Sequence, residues 1–311
     1  MKNKPILIVT GEPKSIFFEI FFKSYKFHKF KSPIILISSH KLIKSYFIKK
    51  KINFKIKLLD EKKIASYKLD NKNINLINVN CIKSEKYIED CFNIAIRILK
   101  TGISNKFING PINKSKFLKK KFLGITEYIS QKFNVKKKAM LIYNEDLSVC
   151  PITTHLPISL VSKRISKKLI KEKAILINNF FIKHIGYKPK IAVTGLNPHC
   201  ESILKNNEDL KIVKPAINTL SKQGLKINGP FPADTIFLKQ NRKKYNVVLG
   251  MYHDQVLSPI KSLKEYDAIN ITLGLPFFRI SPDHGPNEKM INKDLSNPLS
   301  LIKAIKFLDK K

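Results

Sequence analysis

Residues 250–286 read GMYHDQVLSPIKSLKEYDAINITLGLPFFRISPDHGP, and no other stretch of the chain holds so many groups capable of chemistry. His253 and Asp254 follow a short apolar run that is typical of a buried strand. The apolar run 268–273 predicts a second buried strand, which ends at Gly274. Polar groups directly beyond buried strands are typical of open α/β sheets, because such sheets build their sites at the carboxyl ends of the strands.

Five more polar residues of this stretch are candidate site groups: Lys261, Asn270, Arg279, Asp283 and His284. Of the 59 lysine and arginine residues in the chain, only four are arginine. Where lysine is the usual cation, an arginine beside Phe277 and Phe278 indicates a forked contact with phosphate or carboxylate. The alternative stays open for the others, because a lysine in so basic a chain is ordinarily a solvated charge and a histidine after a strand is ordinarily a turn residue.

The composition indicates a globular protein with an unusual charge. The 311 residues suffice for one large domain or two smaller ones, and 43% of them are hydrophobic. The net charge of +36 admits two interpretations, which are binding to nucleic acid and compositional drift toward lysine. Drift is favoured because the lysines are scattered and no nucleic-acid-binding motif is present. We therefore expect anionic small-molecule substrates and no specific nucleic-acid partner.

The cysteines and the apolar runs bear on the compartment. The four cysteines form no CxxC pair, which argues against a zinc ribbon and fits free thiols in a reducing cytosol. The N-terminal apolar run is too short for a signal peptide, and no run reaches the roughly 18 apolar residues of a membrane span. A cytoplasmic protein without a membrane partner is expected.

Strands alternate with helices along most of the chain, which predicts an α/β fold with a largely parallel sheet. The ranges 139–143 and 147–152 are predicted to form a hairpin. Helices are predicted over 85–100 and 298–309, and an interrupted helical region over 158–185. Two further turns carry candidate groups. Lys114 ends the turn GPINK after a predicted strand, and Thr126 opens a helix where it would cap the helix or contact an anion.

Three histidines share one context, since each follows a predicted strand and lies in a turn: His155, His199 and His253. Three neutral imidazoles brought together would bind a divalent metal and leave positions open for a substrate. Acids near the same strand ends would orient the imidazoles: Asp234, Asp254 and Asp283. The alternative is three unrelated polar turn residues. No GxGxxG, P-loop, GxSxG or HExxH motif is present, so a nucleotide cofactor would be held in another way.

The chain resembles the 4-hydroxythreonine-4-phosphate dehydrogenase family nearly from end to end. The motifs that carry the resemblance are TTHLP (153–157), GLNPH (195–199), NGPFPADT (228–235), YHDQ (252–255), NITLGLPF (270–277) and SPDHG (281–285). It implies two α/β/α lobes with a cleft between them, similar to isocitrate and isopropylmalate dehydrogenases. Residues 1–125 with 286–311 would form the first lobe, and 126–285 the second, which would carry most metal and substrate residues.

The resemblance also implies an activity. This is NAD-dependent (or NADP-dependent) oxidation of 4-phosphooxy-L-threonine to 2-amino-3-oxo-4-phosphooxybutanoate, which decarboxylates to 3-amino-2-oxopropyl phosphate in pyridoxine 5′-phosphate biosynthesis. One divalent metal (zinc, magnesium or cobalt) and a homodimer with the metal site at its interface are implied as well. The implied metal ligands are His155, His199 and His253. The implied substrate contacts are Thr126, Lys261, Asn270 and Arg279. As catalytic groups we expect Lys261, Asp254 and Lys114, with Asp234, Asp283 and His284 supporting the metal or the cofactor.

The chain departs from the family pattern at several positions. Ile125 stands where the family carries a histidine that contacts substrate. The glycine-rich first turn of the family reads GEPKSIFFE (11–19) here, so Ser or Phe replaces two glycines and a proline. Cys200 replaces a glycine-rich continuation after His199. Two alternatives therefore stay open, namely the same chemistry on threonate or erythronate 4-phosphate, and a degenerate, non-catalytic paralogue.

Overall fold

The computed structural model describes residues 3–113, 122, 124–200, 207–282 and 285–311. In chain order the described strands are β1 (Ile6–Val9), β2 (Ile34–Ser38), β3 (Ile56–Leu58), β4 (Ile74–Asn78), β5 (Lys106–Asn109), β6 (Ala139–Tyr143), β7 (Ser148–Thr153), β8 (Ile191–Thr194), β9 (Ile227–Phe231), β10 (Val247–Tyr252), β11 (Ile269–Leu273) and β12 (Phe278–Pro282).

The described α-helices are α1 (Phe17–Phe27), α2 (His40–Lys50), α3 (Ser84–Thr101), α4 (Ile125–Lys132), α5 (Val161–Arg164), α6 (Lys167–Phe180), α7 (Lys214–Lys222), α8 (Ala233–Ile236), α9 (Lys239–Arg242), α10 (His253–Lys264) and α11 (Leu299–Asp309). Short 3-10 helices span Glu61–Ser66, Ile158–Leu160, Pro198–Cys200 and Glu288–Met290, and π-helical turns span Phe181–Ile185 and Asp209–Val213. In the described parts of the chain, no helix is both long and apolar enough to cross a membrane.

The chain divides into two compact units, Met1–Phe133 with Leu275–Lys311, and Asn134–Gly274. These limits differ from the expected ones, which divide the chain after residues 125 and 285. They place Thr126 and Arg279 in the first unit rather than the second. The physical reason is that β12 pairs in parallel with β5, and the Phe277 ring packs 4.7 Å from that of Phe133.

The first unit is built on a wholly parallel sheet with the order β3-β4-β2-β1-β5-β12. Strand β1 and the first four residues of β2 are continuous runs of isoleucine, leucine and valine, and every residue of β1 and β2 is buried. Such runs are typical of parallel strands with both faces covered. On one face, α3 contributes Ile88, Phe92 and Leu99 to a core that also contains Ile125.

The second unit has the strand order β11-β6-β7-β10-β8-β9. Strand β6 runs antiparallel to both of its neighbours, and the other described pairings are parallel. The predicted hairpin is confirmed, because Ile142 of β6 pairs with Val149 of β7. The close approach of β9 to β8 depends on Gly229, at φ 136°, since an added Cβ would lie 2.4 Å from the Val193 carbonyl oxygen. The α/β expectation is therefore confirmed in both units.

The predicted helices over 85–100 and 298–309 are confirmed as α3 and α11, and the region 158–185 is interrupted as expected. Two elements of the stretch 250–286, α10 and β12, are present in the structure but are not predicted from the sequence. The expectation that His253 lies in a turn is wrong, because it is the first residue of α10. Val256 and Ile260, four residues apart, bury one face of this helix, although Pro259 interrupts the helical sequence pattern.

Candidate metal and substrate site

The three candidate histidines follow three adjacent strands of the second unit. His155 comes two residues after β7, His253 directly after β10, and His199 in the turn beyond β8. Strand β10 lies between β7 and β8 and is parallel to both, so the three carboxyl ends share one edge of the sheet. Tyr252 pairs with Thr153 at that edge, which brings the residues that follow them close together.

The connections of these strands mark the same edge as a site. From β8 the chain leaves outward to β9, whereas from β10 it returns past β7 and β6 to β11. The connections therefore diverge between β8 and β10. In open α/β sheets, ligands bind in the crevice outside the carboxyl ends at such a switch in strand order. His199 and His253 flank this point.

Two of the three predicted ligands lie together. The ring centres of His155 and His253 are 5.5 Å apart. Two imidazoles on one zinc ion have ring centres about 5 Å apart, given Zn–N distances of about 2.0–2.1 Å, so the pair fits a shared ion. Over the described residues, no three His, Cys, Asp or Glu side chains are grouped closely enough to hold a metal. The structure thus does not group His199 with the pair, and the three-histidine site stays a prediction.

Two of the histidines have a backbone conformation that L-residues rarely adopt. His155 has φ 53° and His199 has φ 56°, and Cys200 follows with φ 60°. Left-handed backbone at residues other than glycine is unfavourable and concentrates at functional sites. This geometry favours a functional interpretation of the two turns over three unrelated polar residues.

The His199 turn is held by a carboxylate that sequence reasoning missed. Asp209 is 0% exposed and accepts hydrogen bonds from the backbone N–H groups of Leu196 (2.7 Å) and Asn197 (2.9 Å). The Asn197 side chain donates a third, at 3.0 Å. A buried carboxylate needs several donors to compensate its loss of water. Its only sequence signal is an acid within a basic helical stretch, which does not indicate its partner.

His253 is oriented by its neighbour in the chain. Its Nδ1 lies 2.7 Å from Oδ1 of Asp254, whose side chain is 79% exposed. In the neutral tautomer that carries its proton on Nδ1, this nitrogen donates to the carboxylate and Nε2 has the lone pair that a metal would need. The predicted orienting role of Asp254 therefore has a structural basis. Asp234 is exposed in the first turn of α8.

Lys261 and Asn270 are the predicted substrate contacts in the second unit. Lys261 is partly buried on α10, and burial lowers the pKa of its amine below the ordinary lysine value. Asn270 lies on β11, and its side-chain oxygen is buried without a hydrogen-bond partner among the described residues. A buried polar atom in this state calls for an explanation, such as a ligand or a water molecule.

Arg279 and Thr126 are the predicted substrate contacts in the first unit. Arg279 is 3% exposed, and burial lowers its pKa to about 10 against the opposing influence of Glu127. Its Nε donates to the Asn109 side-chain oxygen at 2.8 Å, and Nη1 donates to the Thr126 hydroxyl at 3.2 Å. Asn109 in turn donates to the Gly110 carbonyl at 3.0 Å. Asn109 is a second residue that sequence reasoning missed, and it fixes the plane of the guanidinium.

Ile125 occupies the first position of α4 and is 6% exposed. It belongs to the apolar core of the first unit, together with Tyr128 and Ile129. Its side chain therefore contributes packing and no polar contact. The remaining predicted site residues, Lys114, Asp283 and His284, lie outside the described part of the chain.

Comparison with known proteins identifies the family. Residues 29–308 match the family model of the pyridoxal phosphate biosynthetic protein PdxA. A 4-hydroxythreonine-4-phosphate dehydrogenase of Sulfurihydrogenibium sp. is 39% identical over 208 residues, which are 66% of this chain and 64% of that protein. The enzyme of the same name from Aquifex aeolicus is 32% identical over 324 residues, covering 99% of this chain and 98% of that protein.

Solved structures agree with the sequence comparisons. The crystal structure of a 4-hydroxythreonine-4-phosphate dehydrogenase from Klebsiella pneumoniae matches with a TM-score of 0.84 and 26% identity, covering 99% of this chain and 100% of that one. An isocitrate dehydrogenase from Methylococcus capsulatus matches with a TM-score of 0.50 at 9% identity, covering 96% of this chain and 83% of that one. That likeness concerns the fold alone and confirms the expected fold class. The chain belongs to the PdxA family of pyridoxal phosphate biosynthetic proteins.

Proposed function

We propose that the chain is a dehydrogenase that oxidises 4-phosphooxy-L-threonine to 2-amino-3-oxo-4-phosphooxybutanoate, with NAD or NADP as the acceptor and a divalent metal as cofactor. The product then decarboxylates to 3-amino-2-oxopropyl phosphate. Relatives that carry the name of this enzyme support the substrate. The observation that carries the proposal in the structure is the set of three histidines beyond β7, β10 and β8, at the switch in strand order.

The metal ligands we propose are His155, His199 and His253, and the site would be completed across the interface of a homodimer. The imidazole pair at 5.5 Å and the contact of His253 Nδ1 with the Asp254 carboxylate at 2.7 Å support this assignment. When bound, a divalent metal would supply Lewis acidity toward the substrate hydroxyl, and the nicotinamide would take up hydride. Imidazole ligands with open positions suit zinc and cobalt, and with added water magnesium.

The chain's own residues would perform the proton transfer and the binding. The oxidation removes a hydride from the carbon and a proton from the hydroxyl oxygen of a secondary alcohol. Lys261 is the proposed base, because burial favours its neutral amine, which can accept that proton. Arg279 is a proposed phosphate contact, since Asn109 and Thr126 hold its guanidinium in one plane. Thr126 and Asn270 stay proposed substrate contacts, and Lys114 stays a proposed catalytic group.

A second candidate substrate has one specific observation in its favour. With Ile125 buried in the core, the site lacks a polar side chain that the family uses to contact its substrate. Threonate or erythronate 4-phosphate would undergo the same hydride transfer, and each carries a hydroxyl in place of the amino group. We further propose a cytoplasmic location, because the four cysteines are free thiols, which fits a reducing compartment.

The test is NADH formation by the purified full chain after chelation and addition of zinc, cobalt or magnesium. The three phosphorylated acids are compared as substrates. His253→Ala serves as the site variant, and His40→Ala as a histidine control in the first unit. Metal-dependent turnover that His253→Ala abolishes and His40→Ala retains would support the proposal. Turnover restricted to threonate or erythronate 4-phosphate would establish the second candidate. No turnover on any of them would contradict both.

A further inference from the structure

The side chain of Gln255 joins the carboxyl ends of β8 and β10. Its Oε1 accepts hydrogen bonds from the backbone N–H of Met251 and from the hydroxyl of Thr194, both at 2.7 Å. Its Nε2 donates to the carbonyl oxygen of Gly195 at 2.8 Å. One amide therefore contacts the last residue of β8, the first residue of the turn that carries His199, and the strand that leads into His253.

The backbone pairing of β10 with β8 ends just before the residues that the Gln255 side chain contacts. The pairing of β10 with β8 runs from Val247 opposite Ile191 to Leu249 opposite Val193. Beyond that pair, the Gln255 side chain links Met251 of β10 to Thr194 and Gly195 through three hydrogen bonds. These bonds join the two chain segments at the point where their connections diverge. The amide thus sets the separation at the base of the crevice between the two histidine-bearing ends.

The backbone is adapted to this contact. Gly250 lies in β10 opposite the first turn of α10, and an added Cβ would meet Val256 at 2.2 Å and Oε1 of Gln255 at 3.2 Å. The absence of a side chain at Gly250 therefore allows α10 to pack closely enough for Gln255 to reach back to β8. Because α10 begins at His253, the same packing also determines the position of the His253 backbone, from which the imidazole extends.

We infer that Gln255 is a positioning residue for metal binding, because it fixes the His199 turn relative to the first turn of α10. This inference rests on the proposed metal-dependent function. Gln255 is neither a proposed metal ligand nor a proposed substrate contact, and it acts through the backbone that carries the two histidines. Residues that orient metal ligands typically change metal affinity by roughly 10–100-fold when they are replaced. We expect a loss near tenfold, since Gln255 acts through the backbone and not on an imidazole directly.

A structural amide of the same kind provides the matched control. Asn71, in the first unit, accepts from the backbone N–H of Ile34 at 2.9 Å. It donates to the carbonyl oxygens of Phe30 and Ser32 at 3.0 and 2.9 Å. Replacing Asn71 removes as many amide hydrogen bonds as replacing Gln255. It should therefore reduce stability without changing the affinity for metal.

The variants are Gln255→Met, Gln255→Glu and Asn71→Leu in the full chain. Gln255→Met keeps the length and loses all three hydrogen bonds. Gln255→Glu keeps the acceptor contacts, loses the donor and sets a charged oxygen against the Gly195 carbonyl. It decides the question if the methionine variant does not fold. Affinity for cobalt and zinc is measured by competition with a chromophoric chelator at one pH. The visible spectrum of the cobalt protein reports ligand geometry, and the melting temperature of the metal-free protein reports stability.

The expected result is a cobalt and zinc affinity about tenfold lower in both Gln255 variants, with an altered cobalt spectrum, and wild-type values in Asn71→Leu despite a lower melting temperature. Wild-type affinity and spectrum in the Gln255 variants would overturn the inference alone. A loss of affinity in Asn71→Leu that follows its loss of stability would also overturn it. A wild-type chain that binds neither metal would contradict the proposed function itself, and the inference with it.

Discussion

The carboxylate of Asp209 should be one of the most sensitive polar groups in the second unit, and Asp209→Asn tests this with almost no change in volume. The carboxylate accepts from two backbone N–H groups and from the Asn197 amide, at 2.7, 2.9 and 3.0 Å. An asparagine side chain keeps one oxygen and replaces the other with an NH₂ group. That NH₂ group would face an N–H donor, so at least one buried donor loses its partner.

The magnitude follows from these contacts. A hydrogen bond to a charged group contributes about 1.5–3 kcal/mol, and a buried donor left unpaired costs about 1–3 kcal/mol. The two effects overlap, since they describe the same lost contact. We therefore expect the free energy of unfolding to fall by about 3 kcal/mol. With a urea dependence of about 3 kcal/mol per M, the midpoint should fall by about 1 M.

The assay is urea unfolding followed by far-ultraviolet circular dichroism, since the chain contains no tryptophan. Asp309→Asn in the first unit is the matched control. Its carboxylate also accepts two backbone N–H bonds, from Lys31 at 2.9 Å and Ser32 at 2.8 Å, but it is only partly buried. Water can replace the lost hydrogen bond at this partly exposed site, so the free energy of unfolding should fall by only about 1 kcal/mol. If the two variants lose the same stability, the argument that burial makes the Asp209 contacts important is refuted.

Three further predictions follow from particular side chains. Burial lowers the pKa of the Lys261 amine, so its ¹³C-dimethylated form should titrate at lower pH than the surface lysines. The cost of burying the charged amine on folding should be relieved as the pH rises through this pKa. An NMR resonance for Lys261 that titrates among the surface lysines would contradict this. Arg279→Lys loses the donors at Nε and Nη1 that hold the side chain in place. The KM for the phosphorylated substrate should therefore rise about tenfold or more, with a smaller effect on kcat. An unchanged KM in steady-state kinetics would argue against a phosphate contact. Gly229→Ala places a Cβ 2.4 Å from a carbonyl oxygen and should lower the free energy of unfolding by more than roughly 3 kcal/mol. Gly102→Ala, at φ 75° with open space around it, should lower the free energy of unfolding by only about 1–2 kcal/mol. Equal effects of the two variants in urea unfolding would show that the close approach at Gly229 is unimportant.

The parts of the fold that sequence reasoning predicts are those encoded locally. The continuous apolar run of β1 and the helical spacing of α3 each specify an element within a few residues. The helix α10 escapes the prediction because Pro259 and the polar residues at its start resemble a turn. The strand β12 escapes it because its partner β5 lies about 170 residues earlier, and the burial of Arg279 within it has no local signal.

The same distinction holds for the site. The histidines are visible in the sequence because each lies just past a strand, and the chain order of the strands already suggests a common edge. Asp209 and Gln255 in the second unit form contacts with the turn beyond β8, and Asn109 in the first unit contacts Arg279 of β12. Each of these partners is distant in sequence or follows no recognisable pattern. An amide or a carboxylate in a helix is compatible with a solvated surface until its partners are known. Asp254 is identifiable because it neighbours His253 in the chain, whereas supporting residues with distant partners, such as Asp209, require the structure.

The replacements in the first turn of the chain can be judged by the space around them. Gly11, which is retained, has φ 78°, and an added Cβ would lie 2.2 Å from the Pro111 carbonyl oxygen. That same oxygen accepts a hydrogen bond from the Glu12 N–H at 2.8 Å, so the contact between the turns after β1 and β5 is intact. Where the family has glycine, the Ser15 hydroxyl donates to the Glu12 carbonyl at 2.7 Å and Phe17 is buried.

The turn therefore keeps the one glycine whose conformation and surroundings exclude a side chain, and its other replacements add packing and a hydrogen bond. Gly11 is therefore required by the fold, and its retention bears on folding rather than on catalysis. Ile125 remains the replacement that bears on the proposed substrate, because the family resemblance implies a polar contact there and the buried isoleucine side chain offers none. The choice between 4-phosphooxy-L-threonine and the hydroxy acids accordingly depends on that position more than on the altered first turn.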